Sequence, residues 1–190
     1  MNSLDKILAG SLFTFALASV AGASIIPVYQ TAVPDGNDYR WTYTVSASNS
    51  VRVQSGDYFT IYDFGGLDGN PQMPAGWAYS TADTGPVPFL LAPTDDPTIA
   101  NITFTYTGTT PIAGPADIGD FSVDSNGNIP ITTQWASYST RNGGPQDGQF
   151  ATDLGYTDVP EQITQPNNPE PAVSGIFLGV AAMLGLRRRK

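Results

Sequence analysis

Tyr39-Arg40-Trp41-Thr42-Tyr43-Thr44-Val45 is the run that decides the fold class. Alternate residues of an extended chain point to opposite sides. Tyr39, Trp41, Tyr43 and Val45 therefore share one face, and Arg40, Thr42 and Thr44 share the other. Aromatic and β-branched residues facing one way and polar residues the other predict a strand half buried on a core. The alternation returns in Ile102-Thr103-Phe104-Thr105-Tyr106-Thr107 and in Tyr58-Phe59-Thr60-Ile61-Tyr62, which Gly65-Gly66 ends. Residues 121–123 and 129–138 form a further pair of runs, and Asn126-Gly127 between them reads as the turn of a hairpin. No body segment sustains a helical period. Clusters of Pro and Gly at 65–76, 85–97, 108–119 and 141–148 separate the runs. The expectation is an all-β, antiparallel β-sandwich or jelly-roll-like single domain over residues 24–168.

The flanks differ from this body. After Lys6, residues 7–20 are apolar apart from small hydroxyl side chains, and Ala21-Gly22-Ala23 follows. That stretch is short for a membrane span, and Ala21 and Ala23 give the small-x-small pattern that a signal peptidase requires. A signal peptide over 1–23 is expected. At the other end Pro166-Asn-Asn-Pro169-Glu170-Pro171 is too proline-rich for a helix. Residues 172–186 then carry no charge, and Arg187, Arg188, Arg189 and Lys190 end the chain. As a helix the apolar run would span about 22 Å, against a hydrocarbon core of about 30 Å. It enters a bilayer but anchors poorly, and the terminal cations would stay on the cytoplasmic side. Gly175 and Gly179 in this run have the G-x-x-x-G spacing that lets membrane helices approach, although glycine-rich apolar helices show it by chance.

The 190-residue chain has a formal charge of −9. Setting the flanks aside leaves Arg40, Arg52 and Arg141 against fifteen acidic residues, a body charge of about −12. Such a surface repels phosphate backbones, so no nucleic-acid partner is expected. The chain contains neither cysteine nor histidine. That removes disulfides, thiolate or imidazole metal sites, and any catalytic scheme built on those groups. Calcium sites with oxygen ligands remain open.

The Pro169-Glu170-Pro171 box, the apolar run and the arginines at 187, 188 and 189 together resemble the PEP-CTERM sorting signal. The resemblance implies recognition by an exosortase, a membrane-embedded peptidase of the cysteine transpeptidase type, which cuts near the box. It also implies passage through the inner membrane to the outer surface or exopolysaccharide matrix of a Gram-negative cell. One departure is Asn168, where the family usually has Val. Within the body, residues 56–64, Pro74-Ala-Gly-Trp77, Pro93-Thr-Asp-Asp-Pro97 and Asn101-Ile-Thr-Phe104 are similar to a body type found in PEP-CTERM proteins. No activity comes with that similarity.

Groups with chemical potential are few. Asp95 and Asp96 are adjacent, so in an extended segment their carboxylates diverge, and the following Pro97 favours a loop role. Facing carboxylates of a glycosidase must lie about 5–9.5 Å apart. Asp124, Asn126 and Asn128 alternate like the start of a calcium loop. An EF-hand, however, needs Gly and Glu where this chain has Ile129 and Trp135. Calcium held between loops would draw on Asp63, Asp68, Asp95 or Asp96, and nothing in the spacing demands it; no cofactor is expected. Tyr39, Trp41 and Tyr43 match a sugar-stacking platform, but a stripe on one strand face is more often core. Trp77, in a Pro/Gly stretch, is the better candidate for an exposed contact. Thr103, Thr105 and Thr107 lack the fixed repeat of an ice-binding face. They read as the outer face of a strand, open to glycan attachment on an exported protein.

These readings point to an exported, non-enzymatic envelope or matrix protein. Its partners would be signal peptidase, an exosortase, the membrane before processing, and exopolysaccharide. The alternative is a secreted carbohydrate-active enzyme or carbohydrate-binding module using body carboxylates or aromatics.

Overall fold

The computed structural model describes residues 24–163, and these are all-β, in two antiparallel sheets. In chain order the strands are β1 (Ile25–Asp35), β2 (Asp38–Ala47), β3 (Val51–Val53), β4 (Tyr58–Ile61), β5 (Leu67–Gln72) and β6 (Trp77–Ala82). They continue with β7 (Asn101–Tyr106), β8 (Ile112–Ala113), β9 (Ala116–Ser125), β10 (Pro130–Arg141) and β11 (Phe150–Pro160). One sheet has the order β1-β2-β9-β5; the other runs β6-β7-β4-β10-β3-β8, with β11 paired to β10. β4 and β3 share one edge of the long β10, while β11 follows its opposite edge over nearly its whole length. Ala21, Ala23 and the tail residues Pro169, Glu170, Pro171, Arg187, Arg188 and Arg189 lie outside the described residues, as do Gly175 and Gly179.

β2 forms because its alternation matches the pleat. Trp41, Tyr43 and Val45 are fully buried, whereas Arg40, Thr42 and Thr44 are half-buried on the outer side. β1 follows it from Ile25↔Ala47 to Asp35↔Asp38, with Gln30 as an extra residue. That bulge lets Tyr29 and Ala32, three positions apart, both lie over the buried face, opposite Tyr43 and Trp41. Gly36 begins the two-residue β1–β2 turn at φ 66°, a conformation open to glycine without strain.

The sheets share one core. Phe121 of β9 meets Phe59, Trp77 and Phe104 of the other sheet edge-to-face, with ring centroids 5.3, 5.1 and 5.0 Å apart. Trp41 similarly meets Phe64 at 6.5 Å. Edge-to-face geometry places the positive ring edge on the negative π face.

Three expectations need correction. β9 and β10 are not a hairpin, because they belong to different sheets. A type I′ turn needs positive φ at both central residues, and neither Asn126 nor Gly127 has it. The link instead crosses between sheets and is tied at each step. Asn126 N–H donates to the Gly66 carbonyl, Gly127 N–H to Ser125 Oγ, and Trp41 Nε1–H to the Gly127 carbonyl, all at 2.9 Å. Trp77 is not an exposed loop residue. It opens β6, is 8% exposed and packs on Phe59, Tyr106 and Phe121. Finally, Thr103 is buried on the outer face of its sheet, its hydroxyl 2.9 Å from that of Thr60. The long loop of residues 83–100 covers this region. The Tyr62 hydroxyl donates to the Pro86 carbonyl at 2.7 Å, and a side chain at Gly85 would strike Thr60 and Tyr62.

Candidate functional site

A groove of about 330 Å³ lies where the free edges of the two sheets meet, along β1 and β11. Ile26 to Tyr29 form one wall, and Tyr156 to Asp158 with Thr132 and Trp135 form the other. The seam is held by two neighbouring bonds: Tyr29 N–H donates to Thr157 Oγ1 at 3.3 Å, and the Tyr43 hydroxyl donates to the Asp158 carbonyl at 2.9 Å. Burial pushes the Tyr43 phenol well above its usual pKa, so it remains a donor. Gly155 faces Trp135 across the β10–β11 ladder and leaves room for the indole, whose Nε1–H reaches the Tyr156 carbonyl at 3.2 Å. Tyr156 itself is 69% exposed. Beside it, Thr132 Oγ1 donates to Asp158 Oδ1 at 2.7 Å. The groove thus combines an exposed aromatic, a hydroxyl and one carboxylate. It offers stacking and hydrogen bonding.

None of the groove's residues was singled out in the sequence. Tyr29 and Thr157 are far apart along the chain, and only the meeting of two sheet edges joins them. The aromatic positions that the sequence did suggest lie elsewhere. Trp41 and Tyr43 are core, and Tyr39 is half-buried against it.

The candidate carboxylates separate into two groups. Asp63, Asp95 and Asp96 gather where the loop of residues 83–100 returns to β7, and they fasten it. Asp95 accepts from Gly85 N–H at 3.0 Å and from Asn101 Nδ2 at 2.8 Å. Asp63 Oδ1 accepts from Asp96 N–H at 2.8 Å, and Asp96 Oδ1 caps Thr98. Desolvation, with Asp95 and Asp96 nearby, raises the Asp63 carboxyl, while its bond from Asp96 pulls the other way. The Thr98 bonds lower that of Asp96.

Asp68 and Asp124 lie on the outer face of the four-stranded sheet. Arg40 is clamped there between Asp35 at 2.9 Å and Asp124 at 2.8 Å, and Asn70 Nδ2 donates to the same Asp124 oxygen at 2.7 Å. The Asp38 carboxyl is raised by desolvation, then by the charges of Asp68 and Asp124. Asn126 and Asn128 are in the inter-sheet crossing, so the sequence triad starting at Asp124 does not form a loop around one centre. Among the described residues no group of three or more acidic side chains is arranged to hold a metal ion. Also among them, no helix is long and apolar enough to cross a membrane.

No protein-family model matches this chain, and no curated protein matches it in sequence.

Proposed function

We propose that this chain is an exported, non-enzymatic protein of the cell envelope or exopolysaccharide matrix, delivered by a PEP-CTERM-type tail. In this reading residues 1–23 are a signal peptide cut after Ala23. Residues 24–168 are a single β-sandwich or jelly-roll-like domain, and 169–190 are the sorting signal. The observation that carries it is the conjunction at the end of the sequence: Pro169-Glu170-Pro171, then fifteen uncharged residues, then Arg187, Arg188, Arg189 and Lys190. An uncharged run shorter than the hydrocarbon core, ended by cations, suits transient insertion and recognition by a membrane-embedded peptidase better than permanent anchoring. The edge-to-face contacts of Phe121 across the two sheets support the sandwich reading.

Intact-mass measurement of the protein recovered from its native host tests this. The expected mass starts at Ser24 and ends between Pro169 and Pro171. Replacing Pro169, Glu170 and Pro171 with Ala should leave the tail in place; unchanged processing of that variant would remove the basis for the assignment.

A second reading, a carbohydrate-binding body, is favoured by the groove. Tyr156 offers a ring face, and Thr132 and Asp158 offer hydrogen bonds to hydroxyls. The acidic body restricts the ligand to neutral or cationic glycans. Tyr156→Ala should abolish retention on an immobilised neutral polysaccharide. Retention equal to that of the parent chain would dismiss the groove.

A further inference from the structure

The sheet edges are guarded unequally. An unpaired strand edge offers free N–H and C=O groups to any extended chain, and proteins blunt such edges with proline, charge, bulges or short strands. β1 has Pro27, Pro34 and the bulge at Gln30, and its Tyr29 amide is taken by Thr157. β5 contains Pro71 and Asp68, and its register with β9 breaks twice. β8 has only two residues. β11 carries Asp153 and Asp158 and is bonded to β1 and β2 through Thr157 and the Asp158 carbonyl. β6 has none of these devices. Trp77-Ala-Tyr-Ser-Thr-Ala82 contains no charge and no proline, stays in unbroken register with β7, and ends the seven-stranded sheet.

The free backbone groups of β6 can be named. Thr107 N–H donates to the Gly76 carbonyl, whereas Tyr106 N–H donates to the Asp57 carbonyl on the β4 side. Alternate residues of a strand bond to opposite neighbours. Thr105 and Thr103 therefore bond towards β6, where Ala78 and Ser80 are their partners. Trp77, Tyr79 and Thr81 direct their N–H and C=O groups away from β7, along the open edge.

We propose that this edge pairs with the β6 strand of a second copy of the chain, antiparallel about a twofold axis. The pairing is complementary to itself, which selects this occupant, and charge confines a second copy to this edge. A body carrying about −12 opposes the approach of its own kind over most of its surface. β6 is a stretch where two copies meet without facing charges, and its outer-face side chains, Ala78, Ser80 and Ala82, are small and exposed. One register uses every open group: Tyr79 opposite Tyr79, and Trp77 opposite Thr81. It places Asp83 of one copy opposite Ala75 of the other, so the two Asp83 carboxylates do not meet. The contact is isologous and closes on itself, which spares the chain the open-ended growth that an unguarded edge invites.

The test uses the full chain in mild detergent, because residues 7–20 and 172–186 are apolar runs. Sedimentation equilibrium should give a dimer. Hydrogen exchange at the amides of Trp77, Tyr79 and Thr81 should slow as concentration rises, while Ala78 and Ser80 stay slow throughout. Thr81→Pro deletes one outward donor and leaves the bonds to β7 intact; it should weaken the dimer at least about tenfold, since its loss strips two symmetry-related hydrogen bonds. Ser80→Glu, which brings like charges together, should weaken it too, with both variants keeping the parent circular dichroism. A chain that stays monomeric at submillimolar concentration overturns the proposal. So does a dimer that neither substitution weakens, or a Tyr79 amide protected equally at the lowest concentration, which would mean that the chain covers its own edge.

Discussion

Phe121 is where the two sheets depend on one another most directly, and truncating it tests whether they share one cooperative core. Its ring is fully buried and meets Phe59, Trp77 and Phe104 edge-to-face. A phenylalanine buries on the order of 150–250 Å². An alanine still buries part of that area, so Phe121→Ala forfeits about 1.5–3 kcal/mol of transfer free energy. The cavity left where the surroundings relax only partly adds to this and brings the usual cost to about 3–5 kcal/mol. Phe121→Leu keeps most of the volume but loses the ring edges directed at neighbouring π faces. Such pairs are each worth about 0.5–1.5 kcal/mol beyond their area. Because they share one ring they do not add fully, so the leucine variant should cost about 1–2 kcal/mol. Urea denaturation followed by tryptophan fluorescence and far-ultraviolet circular dichroism measures both losses. Trp77, 5.1 Å from Phe121, makes the fluorescence a report on the sheet interface. The two signals should move together. An alanine variant costing less than about 1 kcal/mol, or separate transitions for the two probes, would refute the shared core.

Two further outcomes are expected. Gly155→Ala should cost about 1–3 kcal/mol, because a Cβ there overlaps the Trp135 indole and threatens its bond to the Tyr156 carbonyl; a melting temperature equal to the parent's would contradict the close packing. Asp57 is buried and accepts bonds from Gln54 N–H, Thr140 N–H and the Thr140 hydroxyl at 2.9, 3.1 and 3.2 Å, yet desolvation holds its carboxyl above the usual 3.8. A carboxyl raised by folding binds its proton more tightly in the native state, so its contribution is full below 3.8 and is lost as pH rises through the folded pKa. The stability of Asp57→Asn relative to the parent should therefore climb as pH rises from below 3.8 through the folded pKa, and a difference that is flat or falls would reverse the sign of the effect.

What could be read from the sequence followed from how local the cause was. β2, β4 and β7 are legible because a strand with one face on a core must alternate, and nothing distant alters that requirement. Asn126-Gly127 misleads for the opposite reason. It is a local turn signal, but sheet membership is settled by distant partners, here Gly66 and the Trp41 indole. Trp77 misleads because Pro74 and Gly76 look like a loop. Gly76 in fact takes a positive φ of 87° and lets the chain turn directly into β6 against Tyr106. β5 sits inside a Gly/Pro cluster and survives as a strand only by breaking register twice. The groove was not legible at all, since it belongs to no segment.

The absence of cysteine makes the placement of the aromatics intelligible. A chain that cannot crosslink must fix its long connections by other means, and here several aromatics serve both core and connection. Trp41 buries its indole between the sheets and gives its N–H to Gly127 in the inter-sheet crossing. Tyr43 fills the same core and sends its hydroxyl to the Asp158 carbonyl of β11. Tyr62, on the opposite face, bonds Pro86 and holds down the loop of residues 83–100. In each case the ring's burial supplies the favourable free energy, and the polar tip directs it to a distant segment that would otherwise be free to open. Removing only the tip, as in a Tyr to Phe change, would leave the core filled and release the connection. Order in the loops of this fold is thus separable from the stability of its sheets.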